Sequence, residues 1–196
     1  MKRLLPMFTV AVLVAGCASG PVPTDTFYHL PVATPSSGNQ LTADTIFVRQ
    51  FSGEALYLDR AVLYSDGVDF MMKRHRYHFW SDSPPELMHD AMVDFLRDAG
   101  AAGRVTDEPT PDAAFVVSGR LLAFERLAGS DPIRVRVELE LKLDRPRSPA
   151  APLVERRYHE EITAASGVMP DSVSAFADAT RRIFDRFLAD ARTAIN

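Results

Sequence analysis

Between residues 133 and 144 the chain alternates without a break, Ile133, Val135, Val137, Leu139, Leu141 and Leu143 against Arg134, Arg136, Glu138, Glu140, Lys142 and Asp144. Period two with one wholly charged face predicts a strand of an antiparallel sheet that is covered on one side only. Residues 113–127 just before it are apolar and strand-like, and Gly129-Ser130-Asp131-Pro132 supplies a turn, so the two segments predict a hairpin. A second turn at 146–152 leads to 153–163, where Val154, Tyr158 and Ile162 recur at spacings of four and a third strand is expected. Upstream, 45–50 also reads as a strand. It is separated from a short 27–30 segment by a loop, 31–42, that contains Pro35-Ser36-Ser37-Gly38-Asn39.

Two stretches switch to helical periodicity. Ser83-Pro84-Pro85-Glu86 offers a capping residue, proline at the first helical position and Glu at the third. Leu87, Met88, Ala91, Met92, Phe95, Leu96 and Ala99 then make one apolar face, and Gly100 ends it. At the C-terminus, Val173, Phe176, Ala177, Thr180, Ile183, Phe184, Phe187, Leu188, Ala191 and Ile195 form a wide apolar stripe, with Asp171 near the N-terminal end. Two helices with one face to bury and a sheet with one face to cover predict an α+β two-layer sandwich. In it, both main helices pack on one face of a mostly antiparallel sheet.

The chain opens with Lys2 and Arg3, an apolar run over 4–14 and then Ala15-Gly16-Cys17. The run is far too short to span a bilayer, and the small residues before the cut are those of a secretory signal peptide. Cys17 is the one cysteine in the sequence, and Leu13-Val14-Ala15-Gly16-Cys17 resembles a bacterial lipobox. Cys17 is therefore read as the lipidated residue of a lipoprotein, palmitate and related acyl chains being its anchor. Residues 1–16 are the signal peptide, 17–26 the lipidated cysteine with a Pro- and Gly-bearing tether, and 27–196 a single periplasmic domain. Ala18, rather than aspartate, follows the cysteine, which favours the outer membrane over the inner one.

Removal of Lys2 and Arg3 leaves 20 basic against 26 acidic residues, a net charge of −6 for the mature chain. That balance argues against nucleic acid as a partner, because phosphate binding needs a net basic face. With Cys17 acylated, no thiol is left for a disulfide, a metal site or a nucleophile. The sequence contains no Gly-x-Ser-x-Gly, Gly-rich phosphate loop or His-Glu-x-x-His, so an enzyme is not expected, nor is a cofactor. His75 and His78, at odd spacing on a strand, should point to opposite faces and make poor joint metal ligands; Glu160 and Glu161 should likewise diverge.

Lys73-Arg74-His75-Arg76-Tyr77-His78-Phe79-Trp80 is the one local reversal of the acidic charge. Lys73, Arg74 and Arg76 are a candidate basic patch for anionic headgroups or an acidic partner. The alternative is a strand whose charges are solvated and whose aromatic side chains pack beneath the first helix. Tyr28, Tyr57, Tyr77 and Trp80 are candidates for a partner surface or, equally, for packing.

Several features resemble one family when taken in order. Phe27-Tyr28-His29-Leu30-Pro31 follows the tether, and Tyr57-Leu58-Asp59-Arg60 runs into Ala61-Val62-Leu63-Tyr64. Tyr77 and Trp80 then lead to Pro84 and its helix, followed by the 113–127 strand and the C-terminal helix. This order is similar to that of the ABC-type transport auxiliary lipoproteins, the paraquat-inducible-protein-C-like proteins of MCE transport systems. The resemblance implies a two-layer fold and a non-enzymatic role docking MCE-domain and ABC transporter components at the outer membrane for movement of phospholipid or other hydrophobic molecules. It supplies no catalytic residues. A homo-oligomer is expected. The alternative function is a periplasmic carrier of lipid or a small ligand, with an apolar cavity between sheet and helices.

Overall fold

The computed structural model describes residues 23–32, 35, 40–66, 71–148 and 151–195. The expected signal peptide, Cys17, most of the expected tether, residues 33–34 and 36–39 of the first loop and 149–150 of the second turn lie outside the described residues. Nine strands and two helices follow in the order β1 (Thr26–Tyr28), β2 (Thr42–Val48), β3 (Ser52–Gly53), β4 (Ala61–Ser65), β5 (Met72–Trp80), α1 (Pro84–Asp98), β6 (Ala102–Thr106), β7 (Phe115–Leu127), β8 (Arg134–Asp144), β9 (Val154–Thr163) and α2 (Met169–Ile195). A 3₁₀ turn, Ala55–Leu58, separates β3 from β4.

The strands form one sheet, and the sheet is mixed, which corrects the mostly antiparallel sandwich expected above. The antiparallel meander β7-β8-β9 follows the alternation of apolar and charged positions. The other half is different. β7 has a second edge, and β2, β3 and β4 lie along it end to end, all parallel to β7. β2 also pairs in parallel with β6, and β1 with β5, so that among the described residues five of eight strand pairings are parallel. The connection from β4 to β7 is a long crossover through β5, α1 and β6, the kind of connection parallel neighbours require. With its twist and a register shift in β7 between Leu121 and Ala123, the sheet curls into a half-barrel.

Both helices share one core with the inward face of the sheet. On β8, Val135, Val137, Leu139 and Leu141 have no accessible surface. α1 begins as its sequence predicts: the Ser83 backbone amide donates to the Glu86 carboxylate at 3.2 Å, and Pro84 and Pro85 open the first turn. Such a cap contributes about 1 kcal/mol. The helix ends at Gly100, whose φ of +57° is open to glycine at little steric cost. α2 starts earlier than its apolar stripe suggests, at Met169, because Met169 is itself buried. Between the layers, Trp80, Phe124 and Phe176 pack with ring centroids 4.4 to 5.4 Å apart, and Phe95 meets Phe184 edge-on at 5.4 Å. Gly119 belongs to the same interior. A side chain there would run into the Phe51 ring, which lies 2.5 Å from the ideal Cβ position.

Candidate functional site

The face of the sheet turned away from the helices carries the charged half of the β8 alternation. Neighbouring strands answer it with opposite charge. Glu125 on β7 faces Arg136 on β8 at 3.0 Å, and Arg136 also reaches Glu161 on β9 at 3.1 Å. Arg134 pairs with Glu161 at 2.6 Å, Arg157 with Glu140 at 3.5 Å, and Lys142 with Glu155. Each cross-strand pair contributes roughly 0.2–1 kcal/mol, so what the ladder supplies is mainly a fixed pattern of charge. Burial pushes the Glu125 carboxyl above its ordinary range, Glu161 adds to the rise, and Arg136 opposes it. Beside the ladder an open polar groove of about 460 Å³ is lined by Arg49, Arg120, Glu140, Lys142 and Asp144, among others. Glu160 points the other way, toward α2, where Arg186 holds it at 2.9 Å, so Glu160 and Glu161 diverge as their strand positions require.

The predicted partner residues do not converge. Trp80 is 1 % exposed and sits against Phe124 and Phe176, so it belongs to the core and not to a surface. Tyr57 is also buried; its hydroxyl is hydrogen-bonded to the Phe124 backbone, in the interval where β3 has ended and β4 has not begun. Burial, reinforced by Glu125, raises the Tyr57 phenol to about 12. Tyr28 and Tyr77 are half-buried near the β1 edge.

The basic run does not form one patch either. Lys73 is registered with Tyr64 and Arg74 with Leu63, which places the two on opposite faces. Lys73 is paired with Asp66, and Arg74 with Asp59 at 2.8 Å. Arg76 is exposed.

His75 and His78 overturn the expectation that odd spacing separates them. Along β4, Ala61 and Leu63 are two residues apart, whereas their partners on β5, Phe79 and Arg74, are five apart. The extra residues form a bulge that breaks the alternation and brings the two imidazole rings within 5.5 Å. The Tyr28 hydroxyl lies 2.9 Å from Nδ1 of His78, and the Tyr64 ring lies 4.5 Å from that of His75. Nε2 of His75 is enclosed with no protein partner. Burial first, then the charge of Arg126 and the neighbouring His78, lowers the His75 imidazole to about 4, so it is neutral at physiological pH. Among the described residues no group of three or more His, Cys, Asp or Glu side chains is placed to hold a metal ion. No described helix is long and apolar enough to cross a membrane.

One surface feature had no signal in the periodicity. Phe27 on β1 stacks on Phe79 of β5 at 5.6 Å, and the Arg60 guanidinium lies 5.2 Å from the Phe27 ring centre while donating to the Ser81 carbonyl at 3.2 Å. Leu58, at the end of the 3₁₀ turn beside Asp59 and Arg60, is 58 % exposed, and Phe27 is 52 % exposed. Both stand out because most large apolar side chains of the domain are buried.

No protein-family model matches the chain. No curated protein matches it in sequence. Its fold is shared with solved structures. A DUF330-family protein from Xanthomonas campestris superposes with a TM-score of 0.73 at 16 % identity, over 86 % of this chain and 96 % of that one. An uncharacterized protein gives 0.67 at 15 % identity over 85 % and 97 %. A hypothetical protein from Chlamydia trachomatis gives 0.51 at 9 % identity over 78 % and 97 %. At these identities the likeness is one of fold.

Proposed function

We propose that the protein is a lipid-anchored envelope lipoprotein that serves as a non-enzymatic docking module. In this reading it holds a periplasmic MCE-domain component of an ABC-type transport system at the outer membrane, as a homo-oligomer, in the service of phospholipid or hydrophobic-molecule movement. One observation carries the reading: the inward face of the sheet is filled by side chains of both helices, whereas the outward face bears an ordered ladder of charge, buried at Glu125 on β7 and open to solvent at Arg134 and Arg136 on β8 and Arg157 on β9. A packed interior leaves surfaces as the working parts. Fixed alternating charge suits selective recognition of a complementary protein surface. The lipobox at Cys17 supports the anchor, and the ordered motifs from Phe27 to Pro84 support the partner class.

The same packing counts against the carrier alternative. A carrier would hold an apolar cavity between the layers, where Trp80, Phe124, Phe176, Phe184 and Phe187 stand instead. In-cell crosslinking of a tagged copy at its own expression level, followed by membrane fractionation, tests the proposal. Capture of MCE-domain or ABC components in the outer-membrane fraction is the expected result; recovery of the protein with only itself and lipid would contradict it.

A further inference from the structure

The exposed edge around Phe27 has a place in this arrangement. Resting on the reading of Cys17 as the anchor, we propose that the edge formed by β1, the 3₁₀ turn and the end of β5 lies on the bilayer surface. Phe27 and Leu58 enter the headgroup region there, and Arg60 meets lipid phosphates.

Three observations carry this. The first is reach. Ten residues separate Cys17 from Phe27, and a chain of that length spans at most about 35 Å. α2, with 27 residues, is about 40 Å long. The proposed anchor therefore limits β1 to within that distance of the membrane, a tighter bound than it sets on the far end of α2.

The second is chemistry. Phe27 and Leu58 are both more than half exposed, and the Phe27–Phe79 stack extends the apolar surface across β1 and β5. Arg60, itself an exposed residue, lies over the Phe27 ring, and the Asp59 carboxylate between Leu58 and Arg60 is paired with Arg74 at 2.8 Å, so the apolar pair is flanked by a guanidinium. That is the combination an interfacial surface uses: apolar groups at the headgroup level with a long basic side chain reaching phosphate. The third is contrast. Val168, equally exposed at 57 %, lies in the chain between Gly167 and the buried Met169, so neither chain neighbour extends it into a wider apolar surface.

The test uses the full lipidated protein. With the Cys17 thiol blocked by acylation, a cysteine introduced as Leu58→Cys, Phe27→Cys or Val168→Cys is the one reactive thiol and accepts an environment-sensitive fluorophore. Each labelled protein is reconstituted into phosphatidylethanolamine and phosphatidylglycerol vesicles containing a lipid with a nitroxide near the headgroup. The expected result is several-fold stronger quenching and a blue shift at positions 58 and 27 compared with 168. All three labels are at exposed positions, and circular dichroism confirms that each variant is folded. Equal, weak quenching at all three while the protein stays on vesicles would overturn the inference and leave the anchor intact. Protein that washes off vesicles with an unmodified Cys17 by mass would overturn the anchor and the inference together.

Discussion

Phe176 has no accessible surface and touches both Trp80 and Phe124, one from each half of the sheet. Truncation there should cost about 3–5 kcal/mol, since surrounding rings held by two layers can collapse little. Chemical denaturation of Phe176→Ala measures it, and a loss below about 1 kcal/mol would contradict the packing described. His75 makes a second prediction at this scale. Its folded-state imidazole is lowered to about 4 from an ordinary 6.5, so the unfolded chain binds more protons between those values. Stability contributed by the neutral imidazole is therefore complete above pH 6.5 and is lost as pH falls toward 4. His75→Gln should flatten the stability profile over that interval; identical acid-side slopes for the two proteins would refute the placement. In the sequence, nothing marks the bulge that gathers His75 and His78. Odd spacing separates residues only while a strand keeps its pleat, and the bulge is a property of the β4–β5 pairing that no pattern within β5 marks.

Among the elements, those set by contiguous residues are legible in the sequence. The β8 alternation, the Ser83 to Glu86 cap and the two apolar stripes are properties of contiguous residues, and each appears within a few positions of its expected bounds. The parallel half could not be read this way. β2, β3 and β4 are short, and their partner lies roughly 60 to 70 residues downstream, beyond any local pattern. The partner surface suffered similarly, because Tyr57 and Trp80 carry the same side-chain chemistry whether they face solvent or core. Arg126 illustrates a tertiary contact with no sequence signal. Its Nε donates to the Ser172 hydroxyl at 2.9 Å and its terminal nitrogen to the Gly167 carbonyl at 2.6 Å, fastening β7 to the start of α2. Arg126→Met should cost about 2–3 kcal/mol, the worth of charged hydrogen bonds, one of them to the buried Ser172 hydroxyl. Faster hydrogen exchange should appear at the first turn of α2, with little change at Arg186 and beyond. Uniformly faster exchange along the helix would contradict a local fastening.

For the molecule as a whole, the two proposals fall in different places, membrane attachment at Cys17 and the β1 edge and recognition on the charged sheet face. Replacing the proposed acylation site, Cys17→Ser, should prevent acylation while leaving the domain's cooperative unfolding unchanged. The expected readout is loss of the lipid mass on position 17 with an unaltered denaturation midpoint, and a retained lipid mass would refute the lipobox reading. The two surfaces are also separable by mutation, since the ladder residues lie on β7 to β9 and the apolar edge on β1 and β5. Site-specific photo-crosslinking in cells tests the docking claim most directly, with the reactive group placed at exposed Arg157 on the charged sheet face and, separately, at exposed Asp178 on α2. The expected result is an adduct with an MCE-domain protein from position 157 and none from 178. No protein adduct from 157, or the same adduct from both positions, would contradict it.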